Sequence, residues 1–162
     1  MPVLPVNICR VNTPDGVKEY VTYLHHETAF EKGICPEAVI GVVLEPIEEF
    51  KSITPEIFVK NSVFVNFMHE VIGRCGPNTH SFIAEAKRLR NGWVYVIDQR
   101  TPSPNGNVPP EDIIGGFEVK KGKVMDGSYR ANPNHLILST RGFVQLGTEL
   151  HSYLLEELSK RI

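Results

Sequence analysis

Three side chains around one apolar segment have the types and the spacing for acid–base chemistry. Asp98 ends the segment 92–98, and Arg100 follows it by two residues. Residues two apart on a strand share one face, so these two side chains should lie together. His135 occurs downstream, in an asparagine-rich stretch. A histidine whose imidazole is oriented by a carboxylate could act as a general base near neutral pH.

This chemistry requires a particular arrangement of strands. If 113–120 pairs with 92–98, and 134–139 lies alongside, the three side chains can meet. That arrangement predicts a small metal-independent enzyme, such as a hydrolase. A structural interpretation fits the same residues: the acid and the arginine would form a surface ion pair of little energetic weight, and the histidine would lie on a strand edge.

A proline-rich arm, residues 101–112, leaves the same segment. Its prolines, at 102, 104, 109 and 110, bracket Asn105-Gly106, which is a favoured hairpin turn. Proline reduces the freedom that is lost on ordering, so a stiff arm suits recognition of a partner. An ordered flap folded onto the protein's own sheet edge is the alternative. The candidate binding residues of the arm and of the stretch downstream are Asn105, Asn107, Glu111, Asp112, Asn132 and Asn134.

The sequence therefore supports two functions. The leading hypothesis is a non-catalytic interaction or regulatory module whose contact surface includes the proline-rich arm. The alternative is the enzyme described above, with a catalytic cluster of Asp98, Arg100 and His135 beside that arm. A deep pocket containing all three side chains would favour the enzyme.

Metal and cofactor chemistry have little support in the sequence. The chain contains no phosphate-binding loop, no dinucleotide fingerprint, no nucleophile elbow and no C-x-x-C motif. The neighbours His25 and His26 diverge on a strand or on a helix, and His69 and Cys75 lack a recognised ligand spacing. We therefore predict no metal site and no cofactor.

Composition limits the partners and the compartment. The 162 residues carry a net charge of −2 and a pI of about 6.3, which does not favour nucleic-acid binding. No apolar run reaches the ~18 residues of a membrane span. Three widely spaced cysteines and the absence of a signal peptide indicate free thiols in the cytoplasm. A protein partner or a homodimer is the expected assembly.

The first part of the chain predicts strands. The segments 6–11 and 17–24 flank Thr13-Pro14-Asp15-Gly16, which has the turn chemistry of a hairpin. Apolar residues of 17–24 also fall at helical spacing, but β-branched and aromatic residues favour a strand. The run 38–45 predicts a strand that is buried on both faces.

Three later segments predict helices. An apolar stripe within 61–76 contains Val63, and Asn61 or Ser62 can cap that helix. The segment 79–92 predicts a second helix, capped by Thr79, that presents Phe82, Ile83, Ala86 and Leu89 on one side and forms a helical hairpin with the first. The segment 147–158 predicts an amphipathic C-terminal helix capped by Thr148.

Strands follow between the second and third helices. Five consecutive apolar residues in 92–98 indicate a central strand, 113–120 and 123–129 form a hairpin around Lys121-Gly122, and 134–140 is a last short strand. Strands and helices are segregated rather than alternating. We therefore predict one α+β domain, residues 1–162, with a mostly antiparallel sheet against which two central helices and a C-terminal helix pack.

Overall fold

The computed structural model describes residues 6–24, 35–45, 53–100 and 108–161. Its first element is the predicted hairpin, in which β1 (Asn7–Thr13) pairs antiparallel with β2 (Gly16–Thr22). Gly16 has a φ of +111°, a conformation that glycine adopts readily. The turn chemistry of Pro14-Asp15-Gly16 therefore outweighs the helical spacing of the residues that follow.

The first sheet contains two further short strands. β3 (Gly41–Val43) pairs with β2, and β4 (Phe58–Lys60) pairs with β3, which gives the order β1-β2-β3-β4. The predicted strand 38–45 is therefore shorter than expected. Pro36 starts a 3-10 turn that includes Ala38 and delays the strand, because proline fixes φ for a turn.

The first helix, α1 (Ser62–Cys75), follows the sequence prediction closely. The Asn61 side chain accepts a hydrogen bond from the Val63 amide and so caps the helix. The apolar stripe is buried except at Val63, which is exposed. Val63 lies about 100° around the helix axis from the fully buried Phe64, at the margin of the buried face.

The second helix, α2 (His80–Leu89), begins at its predicted cap, Thr79, whose hydroxyl accepts from the Phe82 amide. A 3-10 turn at Gly76–Asn78 joins it to α1. The predicted inner face of α2 included one residue too many. Ala86 is buried as predicted, but Ile83 is exposed. α2 packs mainly against strands of the second sheet, whereas α1 packs against the C-terminal helix.

The second sheet is built on β5 (Gly92–Ile97) and β6 (Ile113–Lys120), which pair antiparallel as predicted. A hairpin turn connects β6 to β7 (Lys123–Val124), and β8 (Arg130–Ala131) also pairs with β6. Both turn residues, Lys121 and Gly122, have positive φ, which identifies a type I′ turn. β7 is only two residues long, so the predicted strand 123–129 was too long.

β5 is not central in this sheet. Among the described strands it pairs only with β6, so it forms an edge. Val94 and Val96 face the core, but Trp93 and Tyr95 are 37% and 54% exposed. The apolar run misled the prediction because aromatic side chains on the open face of an edge strand look, in sequence, like the residues of a buried strand.

The last third of the chain returns to the end of β5. His135 lies in a turn rather than on the predicted strand 134–140, of which only β9 (Leu138–Ser139) is a strand. β9 pairs with β10 (Gly142–Phe143) in a separate two-stranded sheet. α3 (Thr148–Ser159) closes the described chain. Its cap is Gly147 without a side-chain hydrogen bond, so the prediction that Thr148 caps it was wrong.

The predicted α+β fold is confirmed: the described residues form three helices and antiparallel strands that are arranged in three sheets. Residues of both four-stranded sheets and of the helices share one hydrophobic cluster. None of the helices in the described ranges is both long enough and apolar enough to span a bilayer. The largest fully buried side chains are Phe64, Phe117, Ile40, Met68, Ile72, Ile114, Leu154 and Leu158.

Candidate functional site

The structure brings Asp98, Arg100 and His135 together. The His135 Nε2 atom lies 3.0 Å from Asp98 Oδ2, and Arg100 Nε lies 3.4 Å from the same oxygen. The end of β5 supplies the acid and the arginine, while the turn before β9 supplies the histidine. The side chains of Asp98 and Arg100 have no exposed surface, and that of His135 is only 2% exposed. The cluster is therefore a buried one and not a surface ion pair.

The Arg100 guanidinium has a partner for each of its five N–H groups. Nε donates to Asp112 Oδ1 at 2.9 Å, and the two terminal nitrogens donate to four backbone carbonyl oxygens at 2.6–3.2 Å. A saturated guanidinium has no donor left for a substrate. The four carbonyls belong to Glu111, Leu136, Ile137 and Gly142.

The Asp98 carboxylate is saturated in the same way. Its Oδ1 accepts from the backbone amides of Arg100 and Gln145 at 3.1 and 3.0 Å, and its Oδ2 faces His135 and Arg100. Both oxygens are thus committed within the protein. The carboxylate joins the end of β5 to the segment between β10 and α3.

A second acid extends the cluster toward the surface. Asp112, fully buried, also accepts from Arg141 Nε at 3.1 Å, and Arg141 reaches Glu111 at 3.1 Å. Asp112 and Glu111 belong to a 3-10 turn, Pro110–Asp112, at the end of the proline-rich arm. This end of the arm is therefore fixed to the protein by ion pairs. Residues 101–107, which include Asn105 and Asn107, lie outside the described residues, as do His25 and His26.

The predicted binding residues Asn132 and Asn134 serve the backbone of their own turn. The Asn132 side-chain amide donates to the carbonyls of Pro110 and Ile113 at 2.9 and 2.8 Å, and its oxygen accepts from the Asn134 amide at 3.1 Å. This is an Asx-turn arrangement. It holds the turn that carries His135 against β6.

A histidine–tyrosine pair in the same region was not predicted from the sequence. His69 Nδ1 lies 2.7 Å from the Tyr129 hydroxyl. Burial, with the nearby His135 and Lys60, lowers the pKa of His69 to about 4, so the ring is neutral at pH 7 and can accept the tyrosine proton. Burial also raises the pKa of Tyr129. The two residues are sixty positions apart in sequence. The pair therefore forms only because α1 packs against the loop between β7 and β8.

A groove of about 500 Å³ runs along β5 and extends to Gln99. Consecutive β5 residues line it, from Val94 to Ile97, which means that the groove follows the edge of the strand rather than one face. The other walls are the first turns of α2, including Phe82, and of α3. Neither Asp98, Arg100 nor His135 lines this groove.

The hydrogen bonds around β5 show which of its backbone groups face the groove. Asp98 N–H donates toward β6, to Asp112 O, whereas Gln99 N–H donates to Gln145 O on the opposite side. Backbone groups alternate sides along a strand, so Tyr95 and Ile97 face the same side as Gln99. The Gln99 side-chain amide donates to Ile97 O, which agrees with this orientation.

The register on β6 gives the same result independently. Trp93 lies opposite Glu118, whose carbonyl accepts from Met125 N–H on the far side of β6. Trp93 and Glu118 therefore form a non-hydrogen-bonded pair, so the backbone groups of Trp93 also point outward. Within the described residues, the edge of β5 thus presents unpaired N–H and C=O groups at Trp93 and Tyr95, and an unpaired N–H at Ile97.

The outer face of the second sheet carries a second cavity, of about 460 Å³. Trp93 and Tyr95 lie above Gly116, where an added Cβ would come within 3.1 Å of the tyrosine ring. The Arg130 guanidinium lies 5.8 Å from the Trp93 ring centroid, within cation–π distance. Tyr95 lines both the edge groove and this second cavity.

Comparison of the chain with protein-family models, with curated proteins and with solved structures finds no match. Within the described ranges, no three metal-ligating side chains converge on one point. The geometry of the polar cluster and of the groove along β5 is therefore the basis for a proposal about function.

Proposed function

We propose that the protein is an interaction module that binds an extended segment of a partner protein along the free edge of β5. The single observation that carries this proposal is the outward orientation of the unpaired backbone groups of Tyr95 in a walled groove. An extended peptide would supply complementary donors and acceptors and so add a strand to the second sheet. This mode of recognition obtains affinity from main-chain hydrogen bonds and specificity from the side-chain environment.

The groove favours a single segment over a second copy of the chain. Its walls include Phe82 of α2 and Leu150 of α3, so the β5 edge is recessed between two helices. In a symmetric dimer, two such edges would have to meet, and the helices beside each edge would hold them apart. A flexible peptide has no such obstruction. The proline-rich arm leaves from the end of β5, but the proposal depends only on β5 and its neighbours.

The polar cluster is better explained as a structural clamp. Arg100 and Asp98 have no hydrogen-bonding capacity left, and neither they nor His135 line the two cavities described above. An acid–base catalyst must reach the proton that it transfers. We therefore propose that the cluster fixes the end of β5, the end of the arm and the β9–β10 hairpin relative to one another. A cytoplasmic location agrees with the free thiols of Cys9, Cys35 and Cys75.

Three capped hexapeptides would test the proposal: alternating Val–Thr, alternating Val–Lys and alternating Val–Glu. Each spans about 20 Å when extended, longer than the exposed edge. Titration into isotope-labelled protein, followed by amide NMR, should shift the amide signals of Tyr95 and Ile97 for at least one peptide. No shift with any peptide at roughly millimolar concentration would refute the proposal.

A matched pair of variants separates the backbone contribution from that of the side chain. Tyr95→Pro removes an N–H that points outward, whereas Tyr95→Ala keeps that N–H and loses the same aromatic ring. Proline is tolerated on an edge strand where its missing N–H faces away from the ladder. Binding should be weaker in the proline variant than in the alanine variant. Equal binding, or a β5-dependent dimer in sedimentation, would contradict the proposal.

A further inference from the structure

The groove along β5 has an uneven distribution of charge. Glu85 and Glu149 are among its lining residues, and none of the described residues that line it is Lys, Arg or His. Both carboxylates are partly exposed, with side chains that are 42% and 39% accessible. An extended segment that enters the groove therefore meets negative charge from both helices.

The two acids lie at different levels of the groove. The His80 backbone amide at the start of α2 donates to Glu149 at 2.9 Å, which places Glu149 beside that end of the helix. Position 85 lies five residues beyond position 80, which is a rise of about 7.5 Å along the axis of α2 at 1.5 Å per residue. Alternate residues of a strand are separated by about 6.6 Å. The rise along α2 between the levels of the two acids is thus close to the spacing of side chains at positions i and i+2 of a bound strand.

Neither acid is neutralised by a buried cation. Glu85 pairs with Arg88, an exposed neighbour on the same helix, and this pair lowers the pKa of Glu85. Glu149 accepts from the His80 backbone and lies 3.2 Å from the His80 ring. Both carboxylates keep exposed surface for a further donor, and long basic side chains can lay their methylene groups along Phe82 and the apolar wall.

We infer that the partner segment carries lysine or arginine on alternate residues of the side that faces α2. This inference rests on the proposed function, because it names the side chains of the strand that pairs with β5. The opposite side of the segment lies beside Tyr95, where a β-branched residue gives a favourable cross-strand pair. The recognised sequence is thus an alternation of basic and β-branched residues.

The three hexapeptides also test this inference. The Val–Lys peptide should bind more tightly than the Val–Thr peptide by about 1.4- to fivefold for each lysine that reaches an acid, since an exposed ion pair contributes ~0.2–1 kcal/mol. The Val–Glu peptide should bind more weakly than Val–Thr. Raising the salt concentration should reduce the preference, because exposed charges are screened.

Two substitutions assign the preference to these acids. Glu85→Gln should remove part of the advantage of Val–Lys over Val–Thr, and Glu85→Gln with Glu149→Gln should remove most of it. Glu156→Gln, an exposed acid on α3 that does not line the groove, is the matched control and should leave the preference unchanged. Thermal melts of each variant check the fold. If the loss of the Glu149 contact destabilises α2, the Glu85→Gln variant alone still tests the charge preference.

The outcomes are distinguishable. If Val–Thr and Val–Lys bind equally well at Tyr95, the charge inference is wrong while strand addition stands. If Val–Glu binds best, the inference is also overturned. If none of the three peptides shifts the β5 amides, the proposed function itself fails.

Discussion

Replacement of Arg100 by leucine should destabilise the protein strongly. Five hydrogen bonds would be lost, and the fully buried Asp112 carboxylate would lose one of its two arginine partners. Breaking a buried ion pair by removing one partner costs about 3–5 kcal/mol, and the free energy of unfolding of a domain is only about 5–15 kcal/mol. For a chain of this length, the melting temperature should fall by roughly 6–20 °C.

Urea denaturation followed by circular dichroism measures this loss. Arg100→Lys is the informative companion, because lysine keeps the charge but has three donors instead of five and lacks the planar fork. We expect Arg100→Lys to be destabilised, though less than Arg100→Leu. Arg88→Leu, which removes an exposed arginine on α2, is the control and should unfold at the same urea concentration as the wild type.

A small effect would refute the structural assignment of the cluster. If Arg100→Leu lost less than about 1 kcal/mol, the five hydrogen bonds would not define a clamp. If Arg100→Lys were as stable as the wild type, the planar geometry would be irrelevant. Either result would reopen a catalytic role for the cluster.

Three further predictions concern stability. The pKa of His69 lies below its ordinary value of 6.5, so the unfolded state binds a proton first and stability should fall as the pH drops from 6.5 toward about 4. His69→Gln should reduce that dependence by roughly 1–2 kcal/mol, given partial solvent screening, and an unchanged pH profile of the melting temperature would contradict this. Gly41→Ala should cost about 1–3 kcal/mol in urea denaturation, because the new Cβ would overlap the Phe58 ring and lie 2.5 Å from Val59 O; a neutral result would disprove that contact. Lys121→Asn should raise stability by up to about 1 kcal/mol, since asparagine tolerates the φ of +52° better than lysine does, and a loss of stability would count against a type I′ turn.

Local chemistry made the helices and the turns predictable. Asn61 and Thr79 cap their helices through bonds that their side chains form within three residues, and Lys121-Gly122 forms a hairpin turn from its own backbone preferences. Such features depend on neighbours in sequence. Thr148 shows the limit of this reasoning, because the chain begins α3 from Gly147 without any side-chain cap.

The position of β5 could not be predicted, because the sheet order depends on distant segments. The apolar run indicates a strand but does not reveal how many strands flank it. Tyr95 and Trp93 are partly exposed on the outer face of the sheet and lie over Gly116 on the neighbouring strand. Only the pairing register shows that glycine beneath the aromatic rings.

The candidate cluster was found from sequence, but its environment was not. The spacing of Asp98 and Arg100, with the expected pairing of β5 and β6, placed His135 within reach of both. The number of backbone carbonyls around Arg100 depends on the path of residues 136–142, which no local pattern encodes. That number is the main reason why we propose a structural clamp rather than an active site.

Amide hydrogen exchange along β5, measured by NMR, shows whether the outer edge of this strand is open for pairing. The N–H groups of Val94 and Val96 face β6 and should exchange slowly, while the Tyr95 N–H faces the groove and should exchange at least roughly tenfold faster. Addition of the Val–Lys peptide should slow Tyr95 and leave its two neighbours unchanged. Equal protection of all three amides in the free protein would contradict the account, because the edge of β5 would then already be paired.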